Sequence, residues 1–75
     1  MSEPPNSADF FTLAVNEYNS GNYQAAIDAF NKSIALKEDS IPYKGLGWVL
    51  FNTNQYPEAI DAFNKSIALK EDWHS

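Results

Sequence analysis

Seventy-five residues with ten Asp or Glu, five Lys, no Arg and no Cys make one small domain, which buries only about 60% of its unfolded surface. Neither disulfides nor thiolate-bound metal can staple it. A net charge of −5, with lysines scattered at 32, 37, 44, 65 and 70, argues against nucleic acid as a partner, and no apolar run of about 18 residues is present to span a membrane.

The start, MSEPPNSAD, is polar and acidic, so residues 1–6 read as a disordered lead-in and not as a signal peptide. A cytoplasmic location is the default expectation. Ser7 is placed to cap a first helix over about 8–20, with Asp9 in its first turn and Gly21 as its stop. Asn22 can cap a second helix over about 23–37. Ser40 can cap a third, which tolerates Pro42 in its first turn and breaks at Asn54 and Gln55. Pro57 opens a fourth over about 56–71. Asp28 with Lys32 and Asp61 with Lys65 stand in the favourable i,i+4 order. Loops this short force neighbouring helices antiparallel, giving two helical hairpins.

The stretch 26–39, AIDAFNKSIALKED, returns unchanged at 59–72, an offset of 33 residues. A fixed period of that size is the mark of a helical solenoid. The residues resemble the tetratricopeptide repeat family, whose unit follows a W-x2-L-G-x2-Y…A-x3-F…A…P pattern. Repeat 1 (7–40) supplies Phe10, Leu13, Ala14, Gly21, Tyr23, Ala26, Phe30 and Ser33. Repeat 2 (40–73) supplies Tyr43, Leu46, Gly47, Leu50, Asn54, Tyr56, Ala59, Phe63 and Ser66. The closing Pro is replaced by Glu38 and Glu71, and Glu17 stands where a large apolar residue is usual. The resemblance implies an all-α fold: two antiparallel helix–turn–helix hairpins stacked as a short right-handed solenoid, with 74–75 as a tail.

On a wheel of about 100° per residue, Tyr43, Leu46 and Leu50 form one seam of the third helix, expected to face its hairpin partner. Ile41, Lys44, Trp48 and Phe51 cluster on the other side. The first helix has a matching second stripe in Phe11, Val15 and Tyr18. By the resemblance, the first helix of each hairpin lines a concave groove for peptides. The groove set is then Phe11, Val15, Tyr18, Asn19, Lys44, Trp48, Phe51 and Asn52. Alternatively Phe11 and Val15 meet Phe51 as core between the repeats. The family also grips C-terminal carboxylates with Lys, Asn and Arg. Here only Lys44 carries a positive charge on that face, with Asn19 and Asn52 nearby, so the groove reads as apolar and aromatic.

The duplication leaves a second sticky surface. The fourth helix repeats the second but has no fifth helix to cover it, so Ala59, Phe63, Ile67 and Trp73 are interface candidates for a homo-oligomer, with a dimer favoured. Catalytic constellations are missing. His74 lies at the frayed end, where Glu71 and Asp72 would hold a metal only weakly. Ser33 and Ser66 read as core spacers, and Gly45-Leu46-Gly47 as close-packing glycines inside a helix. The sequence therefore points to a non-catalytic module that binds a protein or peptide, without cofactor or metal. The competing reading is a self-assembling scaffold, natural or engineered.

Overall fold

The computed structural model describes residues 4–71, in which the elements are α1 (Ser7–Asn19), α2 (Tyr23–Leu36), α3 (Ser40–Asn52) and α4 (Tyr56–Glu71). α1 packs along α2 and α3 along α4, while α2 joins the hairpins through α3 and α1 barely touches α3. The result is a slab 38 × 33 × 15 Å.

Each hairpin turns through a left-handed residue: Gly21 at φ 84° and, one period later, Asn54 at φ 65°. Glycine accepts that conformation freely, and asparagine is among the few other residues that do. Both turns close the same way. The Asn22 N–H donates to the Glu17 carbonyl at 2.8 Å, and the Gln55 N–H to the Leu50 carbonyl at 2.9 Å.

The helix starts correct the sequence reading. α1 is capped by Asn6, not Ser7: the Asp9 N–H donates to Asn6 Oδ1 at 2.9 Å, and the Asn6 N–H donates to Asp9 Oδ2 at 3.1 Å. This reciprocal box satisfies two end donors at once. The lead-in expected over 1–6 thus ends in a capping residue, and 1–3 lie outside the described residues. α3 is capped by Asp39, one residue before Ser40, and its carboxylate accepts from the Ile41 N–H at 3.4 Å. Asn22 stands at the N-cap of α2 without a side-chain bond to the helix, and its amide donates to Glu17 Oε1 at 3.0 Å. Of the two expected ion pairs, Asp61–Lys65 forms at 3.6 Å. Lys32 instead stands over the Phe10 ring, 5.7 Å from its centroid.

Ser33 and Ser66 are buried, as their packing positions require, but they do more than fill space. Ser33 Oγ donates to the Ser7 carbonyl at 2.9 Å, and Ser66 Oγ repeats the bond to the Ser40 carbonyl at 2.8 Å. Each serine ties the end of its hairpin's second helix to the start of the first.

The core runs through Ala14, Ala26, Ala29, Phe30, Leu46, Val49, Leu50, Ala59 and Ala62. The seam of Tyr43, Leu46 and Leu50 is buried as expected, yet it does not face α4 alone. It lines a depression between Ile27 and Ile34 of α2 and Ala62 of α4. Leu13, one period before Leu46, is 46% exposed. Among the described residues α1 packs only on α2 and, slightly, on α3, so this consensus position lies at the surface.

Tyr43 also explains what replaces the closing proline, since its hydroxyl donates to Glu38 Oε2 at 3.0 Å. Burial first, then the Glu38 hydrogen bond and the Glu38 and Asp61 charges, push the phenol above its usual value. The folded state therefore holds this proton more tightly than the unfolded chain. Its contribution is complete below about pH 10 and is lost as pH rises through the unfolded value toward the folded one. Urea midpoints are expected to fall over that alkaline range, and Tyr43→Phe to remove this part of the fall.

Candidate binding groove

Between α1 and α3 lies a cleft of about 430 Å³, within the range of ligand-holding clefts. Its floor exists because two residues fit one space. Phe30 of α2 is 2% exposed and reaches so far across that a Cβ on Gly45 would stand 2.5 Å from its ring. The ring of Phe11 meets Phe30 edge-on, with centroids 5.8 Å apart.

Of the eight residues assigned from sequence, Phe11, Val15, Tyr18, Lys44 and Trp48 line this cleft, and Asn19, Phe51 and Asn52 do not. Asn52 Nδ2 donates to the Tyr18 hydroxyl and to the Trp48 carbonyl, both at 2.8 Å, linking the ends of α1 and α3. Phe51 is half exposed and packs edge-on against Trp48 and Tyr56. Asn19 is exposed.

Trp48 is 48% exposed and rests its ring edge-on against Phe63, centroids 5.3 Å apart. It is thus held in place by α4 while presenting about half its surface. Lys44 is the one charged residue lining the cleft, and among the described residues it makes no ion pair.

Phe30, Gly45 and Ile41 also line the cleft. Ile41 was visible on the wheel. Phe30 and Gly45 were not assigned to the site, because each reads as a packing residue of its own hairpin. The signal that could have found them is the period itself, since Gly45 stands where α1 has Thr12.

The interface candidates separate in the same way. Ala59 is buried inside the hairpin and presents no surface to a second chain. Phe63 is half-buried against Gly47 and Trp48. Ile67 is 54% exposed, and Ile60, which sequence reasoning missed, is 59% exposed. Trp73 and the tail lie outside the described residues.

Family models of the tetratricopeptide repeat match residues 10–40 and 41–73. The chain belongs to the tetratricopeptide repeat family. No curated protein and no solved structure matches it. Tetratricopeptide repeats are in general protein-interaction modules and typically non-catalytic, and this chain carries two of them in succession. Among the described residues, no helix is long and apolar enough to cross a membrane, and no group of three His, Cys, Asp or Glu could hold a metal ion.

Proposed function

We propose that the chain is a non-catalytic module that binds a peptide segment of another protein in the α1–α3 cleft. The segment buries apolar side chains against Phe11, Val15, Tyr18 and Trp48, and an acidic group on it meets Lys44. The observation that carries this reading is the pre-built aromatic cleft: a tryptophan braced from behind by Phe63 over a closed Phe30–Gly45 floor. An anchored aromatic loses little freedom on binding, which is what makes such residues effective at interfaces. Lys44, the single charged residue lining the cleft, sets the preferred charge of the ligand.

The test is selection of a random peptide library displayed on phage, followed by titration of the enriched peptides. Enriched peptides are expected to pair large apolar residues with Asp or Glu. Trp48→Ala is expected to weaken them about 30-fold, equivalent to about 2 kcal/mol, with the helical circular dichroism unchanged. Equal affinity for the variant, or a library that yields no binder, contradicts the proposal.

Homo-oligomerisation is the competing reading, favoured by the exposure of Ile60 and Ile67 on α4. It requires sedimentation to show a dimer and the melting temperature to rise with protein concentration.

A further inference from the structure

The polar side-chain groups of the α1–α3 cleft belong to Tyr18, Lys44 and Trp48. An ammonium and an indole N–H can only donate hydrogen bonds, whereas a phenol can donate or accept. Asn52, which does not itself line the cleft, decides between the two. Its Nδ2 lies 2.8 Å from the Trp48 carbonyl and 2.8 Å from the Tyr18 hydroxyl. A carbonyl only accepts, so the atom facing it is the amide nitrogen, and that same nitrogen meets the phenol. The Tyr18 oxygen therefore accepts from Asn52, and its own hydrogen is left to donate elsewhere.

The phenol is held on two sides. Its ring packs against Tyr23 of α2, with centroids 5.6 Å apart, and its oxygen is tied to α3, a helix that α1 otherwise barely touches. Between helices so lightly packed, what the tie fixes is the direction of one O–H at the end of the cleft. Asn52 and Lys44 are eight positions apart on α3, which is about 12 Å of helix. Tyr18 is level with Asn52, so the cleft has a second donor that far from its lysine. In an extended chain the same span is about four residues. Lys44 is the one charged residue lining the cleft, so a second carboxylate placed at Tyr18 would lack a counter-charge, and a neutral acceptor suits the position better.

We infer that Asn52 is a positioning residue of the cleft, given that the cleft is the peptide site proposed above. It sets Tyr18 as the donor to a backbone carbonyl of the bound segment, about four residues from the acidic group that meets Lys44.

The first measurement uses the chain alone. In amide NMR spectra, Tyr18→Phe is expected to move one side-chain amide proton of Asn52 and to leave the other, bonded to the Trp48 carbonyl, in place. Two unmoved protons, or two equally moved, overturn the inference whatever the cleft binds. The second measurement uses the tightest phage-selected peptide. Tyr18→Phe keeps the ring and is expected to weaken that peptide about fivefold, as the loss of one hydrogen bond does. Asn52→Asp puts an acceptor where the donor was and takes the Tyr18 proton for itself. It is expected to weaken the peptide at least as much, and by the same factor in about 1 M salt, where the Debye length is about 3 Å. Added to Tyr18→Phe, it is expected to cost nothing further.

Additive losses overturn the inference. So does full affinity of Tyr18→Phe for a peptide that Trp48→Ala weakens, which would leave the cleft as the binding site without this contact. If replacing one peptide side chain by Ala abolishes the Tyr18→Phe effect, the acceptor is that side chain and the carbonyl assignment fails. A library without a Trp48-dependent binder removes the peptide reading and this inference together.

Discussion

Phe30→Ala is expected to leave most of the protein unfolded at 25 °C, whereas Phe63→Ala, the same change at the same place in an identical sequence, is not. Phe30 is 2% exposed and packs against Phe11 and in the space over Gly45. Deleting a fully buried phenylalanine costs about 3–5 kcal/mol, and domains below about 70–80 residues seldom hold more than about 3–5 kcal/mol in total. Phe63 touches Gly47 and Trp48 but lacks a helix on its outer side among the described residues, so its loss is expected to cost about half as much. Urea unfolding followed by circular dichroism measures both. Equal losses would mean that α3 does not distinguish α2 from α4.

Gly45→Thr is expected to destabilise the fold by about 2–3 kcal/mol, although threonine is the better helix former. The new Cβ alone would stand 2.5 Å from the Phe30 ring. That ring is 2% exposed and also packs against Phe11, so it has little room to retreat. Gly47→Thr makes a similar approach, 2.7 Å to Phe63. The Phe63 ring is only half-buried and can swing outward, so the expected loss there is smaller. A Gly45 variant as stable as the parent would show that the two hairpins are not packed through Phe30.

The helices, the hairpins and the turn residues were legible because they depend on local chemistry that repeats every 33 residues. Gly21 and Asn54 carry positive φ where a break was expected. The caps slipped by one residue because Asn6 and Asp39 each precede a serine that caps equally well in isolation. In the first repeat, the deciding fact is tertiary: Ser7 bonds to Ser33. Leu13 fills a consensus position yet is 46% exposed, because what covers such a position comes from outside its own hairpin. In the cleft, the wheel gave one stripe on each helix, and the family resemblance put Phe11, Val15, Tyr18, Lys44 and Trp48 on one surface, which they line. Neither could reveal that Asn52 bonds to Tyr18 and the Trp48 carbonyl, nor that Phe30 crosses between hairpins, because both depend on distances between α1, α2 and α3.

Amide NMR mapping of a phage-selected peptide on the full chain tests the central claim most directly. Binding in the α1–α3 cleft predicts shifts at Phe11, Val15, Tyr18, Lys44 and Trp48, with Ile60 and Ile67 unmoved. Shifts centred on Ile60 and Ile67, with Phe11 and Trp48 unmoved, would contradict it.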